Sequence, residues 1–198
     1  MKKLLLLLVA ALIGISTAHA QHNIEIGYHP VGVAFVPYKK IQNGDTMLCR
    51  GIYKSFYGGT FRYYHGESFG VTVNYFHGRI IHNDRFYTLQ DMFGNRKERV
   101  NRVNLIFCGN MASNGKRFQL CCSTGGGLGY LSGWNGPSME ICLYLNGRMK
   151  LYLTNTVFIH VGATVLPSVN FWRGIPARLV AQANLEAGLG VTFTGHSK

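Results

Sequence analysis

Residues 179–193 read LVAQANLEAGLGVTF. Every odd position in this stretch is apolar, whereas Gln182, Asn184 and Glu186 occupy even positions. A period of two places alternate side chains on opposite faces of a β-strand, and about 15 residues at about 3.3 Å each extend for about 50 Å. Soluble strands are usually about five or six residues long. Long tilted strands cross membranes as closed barrels, so this stretch predicts a membrane-spanning strand.

The same alternation runs through residues 139–153, MEICLYLNGRMKLYL, and recurs along the chain. Alternation and turn chemistry together predict eight strands, at about 23–36, 47–65, 67–81, 98–112, 116–132, 138–153, 156–172 and 177–193. Long and short connections alternate between them, with both chain ends on the short-turn side, as in outer-membrane barrels. A soluble β-sandwich rarely needs strands this long or a polar interior. We therefore expect an all-β fold, an antiparallel transmembrane β-barrel.

Two glycine-containing dipeptides allow a different strand count. Asn146-Gly147 is a strong two-residue hairpin signal, and Gly58-Gly59 raises the same question in the second strand. If both dipeptides turn, the count rises from eight to ten, but the alternation continues through each of them and favours eight. In the first strand Pro30 follows a regular alternation and predicts a bulge or a change of register.

The first 20 residues have the three parts of a secretory signal peptide. Lys2 and Lys3 precede an apolar run, and Ala18-His19-Ala20 supplies the cleavage site. The expected mature domain, residues 21–198, begins with Gln21 and lacks the cysteine that lipid attachment would need. No later stretch has about 18 consecutive apolar residues, so no transmembrane helix is expected.

The chain is strongly basic, with a formal net charge of +12 over 198 residues. This charge is explained either by a solvated surface or by attraction to a polyanion. For an exported protein the expected polyanion is the lipopolysaccharide of the outer leaflet, and direct nucleic-acid binding is not expected. The expected partners are outer-membrane lipid, lipopolysaccharide and the barrel-insertion machinery.

If the apolar faces meet lipid, the opposite faces line a narrow lumen. This predicts a lumenal polar network of Glu25, Arg62, Glu140, Arg148, Lys150 and Glu186. Eight strands enclose little more than side chains, so these groups should pair with one another. One interpretation is a salt-bridged plug that holds the barrel together. The alternative is a proton-linked or catalytic carboxylate cluster.

Catalytic and cofactor motifs are not evident in the sequence. We find no Ser and His pair typical of a lipid-hydrolysing barrel, and His82-Asn83-Asp84 in a predicted loop is the nearest arrangement. The His-Glu-x-x-His spacing for zinc is absent, and the glycines at 125–129 lie within a strand instead of before a helix. We therefore expect no catalytic residue, metal or cofactor.

Five cysteines occur in the chain, and two of them form a candidate disulfide. A two-residue turn at Asn114-Gly115 would set Cys108 opposite Cys121 as a non-hydrogen-bonded pair, the closer kind, which admits a cross-strand bridge. The alternative is that the cysteines are unpaired apolar fillers.

The longest predicted loop is rich in cations. Arg85, Arg96 and Lys97 lie in or beside it and Arg99 follows at the start of the next strand. Arginine binds phosphate in a bidentate way, so these four residues are candidates for an anion or lipopolysaccharide contact. Solubility of the loop is the alternative explanation.

Several motifs carry a resemblance to known families. Gly126-Gly127-Leu128-Gly129-Tyr130 and the closing Leu189-Gly190-Val191-Thr192-Phe193 resemble small Bacteroidota-type outer-membrane barrels. A narrower resemblance is to the TraO family of conjugative transposon proteins, in the segments Leu151-Tyr152-Leu153-Thr154-Asn155, Phe171-Trp172-Arg173-Gly174, Gly188-Leu189-Gly190 and Asn74-Tyr75-Phe76-His77. The family's N-terminal basic and proline stretch is not evident here.

The resemblance implies a non-enzymatic outer-membrane protein at the cell surface that serves a conjugative DNA-transfer apparatus together with its other proteins. A lipid A or lipopolysaccharide-modifying barrel enzyme and a narrow porin-like channel are the alternatives.

Overall fold

The computed structural model describes residues 21–42, 45–66, 68–81, 99–113, 115, 117–132, 137–171 and 178–194. The predicted signal peptide lies outside these residues. Within them the chain forms eight strands: β1 (Gln21–Gln42), β2 (Asp45–His65), β3 (Phe69–Ile81), β4 (Arg99–Ala112), β5 (Phe118–Ser132), β6 (Ser138–Tyr152), β7 (Val157–Phe171) and β8 (Arg178–Thr194). The described part contains no helix with the length and hydropathy needed to span a bilayer.

The eight strands close into a single antiparallel barrel. Each strand pairs with its neighbour in sequence, and β1 pairs with β8. The ladder continues through both doubtful dipeptides, since Gly147 lies opposite Ala163 and Gly59 lies opposite Tyr75. The predicted eight-stranded barrel is therefore confirmed, and the ten-stranded alternative is wrong.

Side chains alternate between an apolar outer wall and a polar interior. Along β6 the outward residues Met139, Ile141, Leu143 and Leu145 are each at least half exposed. The residues between them point into the lumen and are buried. A soluble β-protein would bury its apolar side chains and expose its polar ones. Here the apolar side chains face outward, so the outer wall is suited to contact with lipid.

The bulge predicted at Pro30 is present. The register between β1 and β8 shifts between Tyr28 and Val31, and the register between β2 and β3 shifts between Lys54 and Tyr57. The pairing of β1 with β2 continues at constant offset from His29 to Val33. The first hairpin therefore carries one additional residue on each of its strands relative to the strands on either side.

The first connection is much shorter than the sequence predicts. Pairing between β1 and β2 continues to Gln42 and Asp45, whereas β1 leaves β8 at Phe35 and β2 leaves β3 at Ile52. The last seven pairs, from Val36↔Gly51 to Gln42↔Asp45, form a two-stranded extension that we call the β1–β2 ribbon. Among the described strands it has no further neighbour.

The register of β4 and β5 overturns the predicted disulfide. Ser113 donates its backbone N–H to the carbonyl of Leu120, at 2.9 Å, so the connection is longer than a two-residue turn at Asn114-Gly115. Cys108 consequently lies opposite Gly125, and Cys121 lies opposite Ala112, four residues from its predicted partner. Cys108 is a free buried thiol, so the Cys108–Cys121 bridge is not formed.

Candidate functional site

The lumen is filled by charged side chains that contact one another across the barrel. Glu25, on β1, is at the centre of the first cluster. Its Oε1 lies 2.6 Å from Nζ of Lys150, and its Oε2 lies 3.1 Å from Nε of Arg148 and 3.6 Å from Nη1 of Arg62. One buried carboxylate thus faces three cations, two of them from β6 and one from β2.

Arg62 links this carboxylate to a second one. Its Nη2 donates to Oε2 of Glu186 at 2.5 Å, and Thr164 donates its hydroxyl to the same oxygen at 3.0 Å. Two histidine rings complete the surroundings of Glu186, with Nδ1 of His160 at 3.4 Å and Nε2 of His29 at 3.7 Å. We call these residues, with Glu25, Arg148 and Lys150, the lower lumenal cluster.

Two tyrosines and two small polar residues hold the guanidinium groups of this cluster. Arg62 donates from Nε to the Tyr144 hydroxyl at 2.9 Å. The guanidinium of Arg148 lies 4.9 Å from the centroid of the Tyr64 ring and donates to Ser123 and Asn110 at 2.7 and 3.0 Å. The planar fork of arginine fixes several partners at once, so the cluster has a defined geometry.

Glu140 belongs to a separate upper lumenal cluster. Its Oε1 accepts hydrogen bonds from Nε of Arg102 at 2.6 Å and from Nδ2 of Asn104 at 2.7 Å. Its Oε2 accepts one from the hydroxyl of Ser168 at 2.9 Å, and Arg102 also donates to Gln182 at 2.6 Å. These residues lie nearer the barrel end opposite the chain termini.

The structure places all six predicted network residues in the lumen but divides them between two clusters. Five of them join the lower cluster, whereas Glu140 pairs with Arg102, which the sequence interpretation missed. Strand alternation contained the signal for Arg102, because it shares a face of β4 with Asn104. His29 and His160 were also missed, and each lies on the buried face of its strand.

The arrangement has clear chemical consequences. Three carboxylates and four Lys or Arg cations are buried in the described lumen: Glu25, Glu140, Glu186, Arg62, Arg102, Arg148 and Lys150. Burying a charge is costly unless it is paired, and here each carboxylate is within 2.6 Å of a cationic nitrogen. The paired side chains fill this part of the described lumen.

Of the four predicted anion-contact residues, the structure describes one, Arg99. Arg85, Arg96 and Lys97 are outside the described residues. Arg99, the first residue of β4, is exposed on the outer wall of the barrel.

In a closed barrel every strand is hydrogen-bonded on both sides, so its backbone N–H and C=O groups are paired within the bilayer. The apolar outer wall can then face the lipid. The chain is an outer-membrane β-barrel protein. No protein-family model matches it, and no curated protein matches it.

Similar solved structures include three outer-membrane proteins. Neisserial surface protein A is 12% identical over 88% of this chain and 99% of that chain, with a TM-score of 0.49. The attachment invasion locus protein of Yersinia pestis is 13% identical over 89% and 100%, with a TM-score of 0.45. Protein OprG from Pseudomonas aeruginosa is 11% identical over 89% and 97%, with a TM-score of 0.45. Such values transfer no ligand, partner or activity to this chain.

Proposed function

We propose that this chain is a non-catalytic outer-membrane protein in which the barrel serves as an anchor and segments at the barrel ends bind partners. The observation that carries the proposal is the lumen filled by paired charges. Glu25 and Glu186 are both buried and both contact Arg62, which spans the interior between them. A barrel whose lumen is filled in this way acts as a rigid scaffold and not as a channel.

The β1–β2 ribbon is the segment that we assign to partner contact. It continues for seven pairs after β1 has left β8 and β2 has left β3, which corresponds to about 23 Å of strand at about 3.3 Å per residue. A ribbon whose two edges have no neighbour among the described strands offers backbone hydrogen-bonding groups to an added strand. The resemblance to TraO proteins supports a more specific proposal, in which the partner is another protein of a conjugative DNA-transfer apparatus.

The test is mating efficiency in a donor strain that lacks the protein. We expect transfer to fall in the deletion strain and to be restored by the full chain. A variant in which residues 37–50 are replaced by Asn-Gly should insert into the outer membrane but fail to restore transfer. Unchanged transfer in the deletion strain would remove the conjugation role, and full restoration by the shortened variant would remove the ribbon from it.

The enzyme and channel alternatives have their own measurements. Mass analysis of lipid A from cells with and without the protein should show the same species. In planar bilayers the purified barrel should give no stable conductance steps. A lipid A species that depends on the protein would make it an enzyme, and regular conductance steps would make it a narrow channel.

A further inference from the structure

We propose that a polar patch on the outer wall of β2, β3 and β4 binds the phosphate group of an outer-leaflet lipid. The patch consists of Tyr57, Tyr75, His77, Arg99 and Asn101, and it lies toward the end of the barrel opposite the chain termini. This inference does not depend on the conjugation role.

The patch lies where the apolar outward faces of β3 and β4 end. Along β4 the outward residues Val103, Leu105 and Phe107 are exposed and apolar, and Asn101 and Arg99 follow them on the same face. On β3 the outward Val73 is followed by Tyr75 and then His77. The order from apolar residues through an aromatic ring to polar and charged groups is typical of the boundary between hydrocarbon and headgroups.

Hydrogen bonds within the patch leave donors available. The Oδ1 atom of Asn101 accepts from the Tyr75 hydroxyl at 3.0 Å and from Nδ1 of His77 at 2.7 Å. The ring of Tyr57 packs edge-on against His77, with centroids 5.3 Å apart. Both acceptor sites of the amide oxygen are therefore used, while Nδ2 of Asn101 has no hydrogen-bond acceptor among the described residues.

Arginine supplies the charge that selects phosphate. Arg99 is exposed on the outer wall, and the register places it directly opposite Arg79. A phosphate accepts bidentate hydrogen bonds from a guanidinium and further bonds from an amide. Donors on a wall that faces lipid are satisfied only at headgroup depth, because the hydrocarbon offers no acceptor.

The experiment measures lipid binding by the full mature barrel in a neutral detergent. The probes are diphosphoryl lipid A and the same lipid with its phosphates removed, titrated and read by native mass spectrometry. We expect the phosphorylated lipid to bind the unaltered barrel at least about tenfold more tightly than the dephosphorylated one, as charge-assisted hydrogen bonds predict.

Two variants and a matched control locate the site. Arg99→Gln, and Arg99→Gln combined with Asn101→Leu, should each weaken binding of diphosphoryl lipid A, the second by about tenfold or more. Arg117→Gln changes an exposed arginine in the connection between β4 and β5, at the opposite end of the barrel, and should leave binding unchanged. Equal binding of both lipids, unaltered affinity in the double variant or an equal loss in Arg117→Gln would each overturn the proposal.

Discussion

Arg62 is the residue on which the lower lumenal cluster depends. It contacts Glu25 and Glu186 and donates to the hydroxyl of Tyr144, so it joins three strands other than its own. Removing one partner of a buried ion pair leaves the other charge desolvated, whereas removing both can be nearly neutral. The two carboxylates differ in this respect, because Glu25 retains Arg148 and Lys150 when Arg62 is lost.

This asymmetry leads to a prediction for Arg62→Met. The substitution should lower the free energy of unfolding by about 3 kcal/mol or more, chiefly because the buried Glu186 carboxylate loses its arginine partner. Adding Glu186→Gln to it should recover at least about 1 kcal/mol, because the two sites are coupled. Urea unfolding of the barrel in lipid vesicles measures both values.

The control for that series is Asn155→Ala in the exposed connection between β6 and β7. It should change stability by less than about 0.5 kcal/mol. Strictly additive effects of Arg62→Met and Glu186→Gln would mean that the two side chains do not form an energetic unit.

At the scale of the element, the inward and outward faces of a strand have different surroundings and therefore tolerate different substitutions. Gly188 lies between β1 and β7, where an added Cβ would meet the carbonyl oxygen of Ile26 and, at 2.5 Å, Nε2 of His160. Gly147 of β6 faces outward, and a Cβ there would meet nothing within 4 Å. Chemically identical substitutions should therefore have different effects on the two sides of the wall.

We expect Gly188→Ala to reduce the free energy of unfolding by about 1–3 kcal/mol, because overpacking forces neighbouring atoms to shift. Gly147→Ala should change it by less than about 0.5 kcal/mol. The same vesicle unfolding experiment compares the two variants. Equal losses would show that the two glycines have similar surroundings.

The sequence predicts strands well wherever a strand has one face in lipid, since alternation is then imposed by the two environments. It fails at the far end of the β1–β2 ribbon, where residues 37–42 and 45–46 form strand beyond the predicted limits of 36 and 47. This segment extends past the neighbouring strands, so the lipid does not impose alternation on it. The prediction also fails at the β4–β5 register, because Asn114-Gly115 signals a turn without fixing its length. The pairing of Glu140 with Arg102 depends on the stagger of strands around the barrel, which local sequence does not specify.

At the scale of the whole molecule, closure makes the barrel a single cooperative body. Every strand has two hydrogen-bonded neighbours, and the described barrel body has no free edge below the ribbon. Ion pairs tie strands that are not neighbours, as Arg62 of β2 and Glu186 of β8 do.

We therefore expect the protein in outer-membrane fractions to keep its shape in detergent until it is heated. On a gel the unboiled band should migrate differently from the boiled band, since the compact barrel binds less detergent than the unfolded chain. Recovery in the soluble periplasmic fraction without such a shift would contradict the membrane assignment.

The pairing of the first strand with the last has a consequence for the order of assembly. Thirteen residue pairs, from Gln21↔Thr194 to Phe35↔Ala181, join segments at opposite ends of the chain. These contacts have the largest sequence separation in the protein, so they form late and slowly. Until β8 pairs with β1, both edge strands of the growing sheet have free backbone hydrogen-bonding groups. They can then pair with strands of a second copy of the chain. We therefore expect assembly to depend on a helper protein that covers these edges until the barrel closes.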